Sequence, residues 1–232
     1  LLNPIEYGAN IVIHSLTKYL TGNGTSLGGV IIDAGTFDWG NGNFPEFTEP
    51  NPSYHGLNYH EALGAIAFIA KVRIEGLRDL GSAPSPFNSF QIIQGLETLS
   101  IRMNQHSKNA SEIAQWLEAQ EEVTWVNYPG LASSKYNDLA KKYLPTGQSG
   151  IVTFGLKGGF EAAKQVADKT NIFSLLANIG DTKSLIIHPA STTHQQLNPE
   201  AQKTAGVTQD LVRLSVGLED VEDLKNDLKQ AF

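Results

Sequence analysis

The chain has 232 residues, 24 acidic against 17 Lys and Arg side chains, a formal charge of −7 and no cysteine. The missing thiols exclude disulfides, thiolate metal sites and a cysteine nucleophile within it. The acidic balance, with no basic cluster, argues against nucleic acid as a partner.

A hydrophobic content of 41% beside 18% charged residues suits a packed protein of one large or two small domains. No apolar run approaches the length needed to cross a bilayer, so no membrane partner is expected. Without a signal-peptide pattern, a cytoplasmic location is the default expectation. The chain opens at Leu1-Leu2-Asn3-Pro4 with no initiator Met and enters a strand pattern almost at once. That start reads as the interior of a longer protein.

Asn10 to His14 reads as a short buried strand and Gly28 to Asp33 as a second, with a glycine-rich loop between them short enough for antiparallel neighbours. Between the two lies Ser15-Leu16-Thr17-Lys18-Tyr19. Burying an ammonium is costly, so a lysine at the end of a buried strand favours the neutral amine, which can condense with an aldehyde. Pyridoxal 5′-phosphate uses such a lysine, and neighbouring hydroxyls can hold its phosphate. Taken alone, a lone lysine after a strand is more often a surface residue at a loop start, and the rest of the chain has to decide.

Thr36 to Pro52, rich in Gly, Asn, Pro and aromatic residues, reads as an irregular excursion. From about Tyr59 to Leu80 the apolar spacing becomes helical, and Gly81 to Pro84 ends it. Ser85-Pro86 is a helix start, and a long helical stretch follows to about Gln120. Its apolar stripe is predicted to include Phe90, Ile93, Leu96, Met103, Ala110, Ile113 and Leu117. A helix of this length, with Gly95 and Asn104 inside it, links domains or bends.

The remainder alternates. Val123 to Tyr128, Ile151 to Leu156, Ser184 to His188 and Val212 to Val216 read as strands, Phe160 to Lys169 and Asp220 to Phe232 as helices. This pattern predicts an α/β sandwich. Arg213 interrupts the last strand. A guanidinium there needs a partner, either an acidic side chain of the protein or a carboxylate ligand. Asn178, before Ile179-Gly180, either shapes a turn or aims an amide at a ligand. His188 and His194 lie six apart, which fits no usual zinc spacing; hydrogen-bonded loop histidines are expected and no metal site.

The stretches His14 to Tyr19, Ser85 to Asn88, Gly95 to Met103, Tyr128 to Leu131, Ser184 to His194 and Val212 to Glu219 resemble the Cys/Met-metabolism family of pyridoxal-phosphate enzymes, in the family's order and over nearly the whole chain. The resemblance implies fold type I of the pyridoxal-phosphate-dependent transferases. Residues 1–99 would be the C-terminal part of the large cofactor domain and residues 100–232 the small α/β domain. Lys18 matches the lysine that carries the cofactor, and Ser15 and Thr17 match hydroxyls that bind its phosphate. Arg213 matches the residue that grips a substrate α-carboxylate. Asn178 stands near the same carboxylate, where relatives often have Ser.

Within the family, the excursion from Phe37 to His60 points to members that replace the γ-acetoxy group of O-acetylhomoserine by sulfide or a thiol. Methionine γ-lyase and cystathionine γ-synthase usually have a shorter segment there. The Asp expected against the pyridine nitrogen, the ring-stacking aromatic and the phosphate ligands of a neighbouring subunit would all precede Leu1. The resemblance therefore implies the C-terminal portion of the enzyme, a homotetramer, with the N-terminal half of the same enzyme as partner. Alone, the chain would be an inactive fragment.

Overall fold

The computed structural model describes all residues, Leu1–Phe232. They form two compact units, one of residues 1–2, 16–27 and 91–232, the other of residues 3–15 and 28–90.

The larger unit is built on a five-stranded sheet. Strands β1 (Ile11–Ser15) and β2 (Gly29–Asp33) belong to the smaller unit. The sheet comprises β3 (Val123–Asn127), β4 (Ile151–Leu156), β5 (Ser174–Leu175), β6 (Leu185–Ile187) and β7 (Leu211–Ser215), in the order β3-β4-β7-β6-β5. All neighbours are antiparallel except β5 and β6. The period of two in a strand divides the sheet into two faces. Val152 and Phe154 of β4, Val212 and Leu214 of β7 and Ile186 of β6 share one face. They pack on Ala110, Ile113 and Leu117 of one helix, Ala163, Val166 and Ala167 of a second, and Leu224, Leu228 and Ala231 of a third. All three helices thus cover the same face. Burying each Leu or Ile here contributes about 1.5–3 kcal/mol. The two-layer α/β expectation is met.

Those helices are α2 (Leu99–Glu118), α4 (Gly159–Lys169) and α6 (Val221–Ala231). Helices α1 (Pro86–Glu97), α3 (Asn137–Tyr143) and α5 (Pro199–Thr204) complete the set from residue 86 onward. The single helix expected from Pro86 to Gln120 is two. Thr98 leaves the helical region (φ −107°, ψ 4°); its hydroxyl accepts from Arg102 Nε at 3.1 Å. Ser85 caps α1 as predicted, accepting from Asn88 N at 3.1 Å.

The predicted stripe is also divided. Ala110, Ile113 and Leu117 lie in the core, whereas Phe90, Ile93 and Leu96 are exposed. Ile92 and Gly95 are the buried residues of α1. Gly95 explains the shift. A Cβ there would collide with the carbonyl oxygen of Thr21, so the face of α1 that packs is the one where glycine admits another backbone.

Asp227 of α6 anchors the segment entering β5. Its buried carboxylate accepts from the N–H groups of Asn171 (2.8 Å), Ile172 (2.8 Å) and Phe173 (3.0 Å). His106 of α2 is fully buried. Its Nδ1 lies 2.7 Å from Val216 O, and its ring meets Tyr19 edge-on at 5.2 Å.

The smaller unit pairs β1 and β2 antiparallel, Ile11 against Asp33, as the short loop predicted. The excursion folds around Trp39, which stacks on Phe47 at 4.6 Å and on Phe68 at 5.0 Å. Glu75 ties it to the helical run 59–80, accepting from Tyr59 Oη (2.8 Å), Lys71 Nζ (2.8 Å) and Asn51 Nδ2. The Lys71 hydrogen bond leads the causes that hold the Glu75 carboxyl below its usual range. Burial, with Glu75 adjacent, pushes the Tyr59 phenol up to about 12.

Asp227→Ala strands three backbone donors and is expected to cost about 2–4 kcal/mol; a urea midpoint measures it, and Asp227→Asn, which keeps one acceptor oxygen, should lose less. A second expectation concerns acid. Burial holds the His106 imidazole below its ordinary 6.5, and burial does the same to His188. The unfolded chain therefore takes up protons that the fold refuses. Stability is full above pH 6.5 and is lost as pH falls through the lowered folded values. The slope for one such group is at most about 1.4 kcal/mol per pH unit. His106→Gln should flatten the decline that sets in below about pH 6.5, read from denaturation midpoints across the acid range.

Candidate functional site

The segment after β1 makes a turn over Leu16–Leu20, closed by Thr21 N to Leu16 O (3.1 Å) and Gly22 N to Lys18 O (2.9 Å). Lys18 stands outside helical geometry within it (φ −84°, ψ −136°), so the turn does not run on as a helix. Gly22 leaves the turn with positive φ (+81°), and a Cβ there would strike the Arg102 guanidinium.

The turn lies against residues 178–182 of the same unit. Thr182 N donates to Gly22 O at 2.7 Å. Gly180 (φ +74°) approaches so closely that a Cβ would lie 2.6 Å from Tyr19 N, and its own N–H donates to Ser215 Oγ at 3.0 Å. Asn178 therefore faces Lys18, and Lys18 Nζ donates to Asn178 Oδ1.

Arg213 reaches the same residue from the sheet. Strand alternation sends Val212 and Leu214 into the core and puts Arg213 on the other face, paired in register with Thr153 and Ile187. Arg213 Nη2 donates to Asn178 O at 3.2 Å. None of the ion pairs in the chain involves Arg213, so the acidic protein partner considered from sequence is not the one the fold supplies. Burial lowers the guanidinium's pKa. A half-buried guanidinium has five N–H donors and here meets one carbonyl, an arrangement that suits a carboxylate or phosphate from outside the chain.

Asn178 thus joins an amine and a guanidinium, one through its side chain and one through its backbone. Thr17 is half-buried in the Lys18 turn, whereas Ser15 ends β1, exposed, in the smaller unit. His188 is held by Ser191 Oγ and Gln209 O, both at 2.9 Å, the hydrogen-bonded loop histidine expected. Sequence reasoning missed Arg102, Gly180 and Ser215. The spacing of Thr98, Arg102 and His106 at four-residue intervals puts polar groups on the packed face of α2, and that was the available signal.

The whole chain, residues 1–232, matches the family model described as Cys/Met metabolism PLP-dependent enzyme. It is 57% identical to the O-acetyl-L-homoserine sulfhydrylase of Leptospira meyeri, covering 100% of this chain and 54% of that protein. It is 52% identical to O-acetyl-L-homoserine sulfhydrylase 1 of Thermus thermophilus, with 100% and 55% covered, and 48% identical to the homocysteine synthase of Schizosaccharomyces pombe, with 100% and 54% covered. The chain spans about half the length of these relatives. Among solved structures it superposes with a TM-score of 0.92 and 45% identity on a crystal structure described as an O-acetylhomoserine (thiol)-lyase of Campylobacter jejuni, which carries a pyridoxyl-lysine monophosphate; 100% of this chain and 55% of that one are covered. Sequence and fold agree over every residue, and the chain belongs to the Cys/Met-metabolism family of pyridoxal-phosphate-dependent enzymes.

Proposed function

We propose that this chain is the Lys18-bearing part of an enzyme that replaces the acetoxy group of O-acetylhomoserine by sulfide or a thiol, giving homocysteine or methionine and acetate. The observation that carries the reading is the meeting of Lys18 and Arg213 on Asn178. The relatives' names support the reaction, and the pyridoxyl-lysine of the Campylobacter protein supports the cofactor.

The residues present fit pyridoxal 5′-phosphate. Lys18 offers an amine at a turn that carries the Thr17 hydroxyl, a donor for a phosphate, and Arg213 keeps donors for a substrate carboxylate; Ser15, at the end of β1, is the second hydroxyl proposed for the phosphate. Bound there, the cofactor supplies an electron sink for charge developing on the amino acid. Lys18 carries it and, when released, takes the Cα proton and moves protons at Cβ as general base and acid. Asn178 Oδ1 holds the amine in place between these transfers. Arg213 grips the α-carboxylate and so fixes the direction of the Cα–H bond. The Cγ–O bond to acetate breaks, and a Cγ–S bond forms with sulfide or thiolate.

The same reading assigns residues 1–99 to the cofactor domain and residues 100–232 to the small domain. It takes the remaining half of the relatives' length as the partner that completes the site, in a cytoplasmic homotetramer. The half-length coverage supports that partner.

In the complete enzyme, Lys18→Ala should lower turnover by about 10³-fold or more; substantial residual γ-replacement would sink the assignment. Release of 2-oxobutanoate in place of a sulfur-containing product would move the reading to γ-elimination. Arg213→Leu should reduce kcat/KM for O-acetylhomoserine roughly 10- to 100-fold. Steady-state kinetics at varied amino acid and fixed sulfide check it.

A further inference from the structure

Arg102 is a buried cation with no acidic partner. It is 7% exposed, and none of the chain's ion pairs includes it. Its guanidinium is spent on carbonyls. Nη1 donates to Tyr19 O at 2.7 Å, Nη2 to Leu20 O at 3.2 Å and to Gly95 O at 2.6 Å, and Nε to Thr98 Oγ1 at 3.1 Å. Tyr19 and Leu20 are the two residues that follow Lys18. Gly95 lies in the last turn of α1, where carbonyls lack intrahelical partners and the helix dipole is negative. The charge is therefore stabilised by three backbone carbonyls and one hydroxyl, with no carboxylate among them.

This is a costly way to hold a turn. Burying an arginine without a counter-ion is avoided unless every donor is used, and a hydrophobic residue would fill the space more cheaply. What a guanidinium adds is geometry. Its rigid fork fixes the directions of several acceptors at once. Here those acceptors are two consecutive peptide groups beside Lys18 and one on α1. From the other side, Gly180 presses on Tyr19 N and Thr182 N holds Gly22 O. Glycine is required at both places where α1 and Arg102 close on the turn, Gly95 against Thr21 and Gly22 against Arg102.

We infer that Arg102 is a positioning residue, which fixes the backbone after Lys18 so that the Lys18 amine returns to one place in each proton transfer. The inference rests on the role proposed above for Lys18. It requires that Arg102 act on the proton-transfer step and not merely on folding.

The test uses the complete holoenzyme with Arg102→Lys, which keeps the charge but cannot span three carbonyls, and Thr98→Val, a milder loosening of the same fork. Measured together are pyridoxal phosphate content, KM and kcat per bound cofactor, and exchange of the Cα proton of an unreactive amino acid into deuterated water. Arg102→Lys is expected to keep KM within about threefold, while kcat per bound cofactor and Cα exchange fall together by about 10- to 100-fold. Thr98→Val should shift both the same way by about two- to fivefold. Unchanged Cα exchange per bound cofactor in Arg102→Lys, whatever happens to Tm, overturns the inference, as does a change confined to KM. If Arg102→Lys does not fold, Thr98→Val decides by the same criterion. Borohydride reduction and peptide mapping of the wild-type enzyme keep the two readings apart. Label on a lysine other than Lys18 sinks the proposed function itself, whereas label on Lys18 with unchanged exchange in the variants sinks only the role of Arg102.

Discussion

The alternation of side chains along β7 is the constraint on which the rest depends. Five residues, Leu211 to Ser215, send Val212 and Leu214 into the core and place Arg213 and Ser215 on the other face. The core side is sealed by three helices. The other side carries the candidate site, because there Ser215 Oγ accepts from Gly180 N and Arg213 donates to Asn178 O. A slip of one residue in register would exchange the two faces, driving a guanidinium into an apolar layer and exposing the residues that hold the sheet to its helices. Stability and the site are thus specified by the same pairing.

Two buried charges show how the larger unit orders irregular backbone. Asp227 collects three consecutive N–H groups ahead of β5, and Arg102 collects carbonyls after Lys18. Each satisfies backbone groups that regular structure leaves open. One anchors the segment that brings Asn178, the other the turn that brings Lys18, so the two partners of the central hydrogen bond are fixed by separate devices of opposite charge. In the smaller unit Glu75 does comparable work, gathering Asn51, Tyr59 and Lys71 around one carboxylate.

Strands and amphipathic helices with a simple period were legible in the sequence: Ile151–Leu156 falls where it was expected, and α4 and α6 lie within a residue of prediction at each end. The family was legible too, because six ordered motifs carry it. What escaped depended on contacts distant in sequence. The face of α1 that packs is chosen by Gly95 meeting Thr21, not by Phe90, Ile93 or Leu96, and a glycine carries no hydrophobic signal. The break at Thr98 depends on a hydroxyl turned toward Arg102. The short helices α3 and α5 have too few turns to display a period. For Arg213 the sequence left open a protein acid or a ligand carboxylate, and only the folded arrangement shows that no acidic side chain of this chain pairs with it.

The separation between Lys18 and its partners sets an order of assembly. Asn178 lies 160 residues further along the chain, and Arg102 lies 83 residues beyond the Tyr19 carbonyl it binds. Contacts of such span form late, because loop closure precedes the reward of the contact, and synthesis delivers the C-terminal strands after everything before them. A nascent chain that has just exposed Lys18 has no sheet face against which to hold it. The lysine meets Asn178 and Arg213 only when β7 has left the ribosome and paired, so the geometry around this amine is withheld until the strand that carries Arg213 has been made.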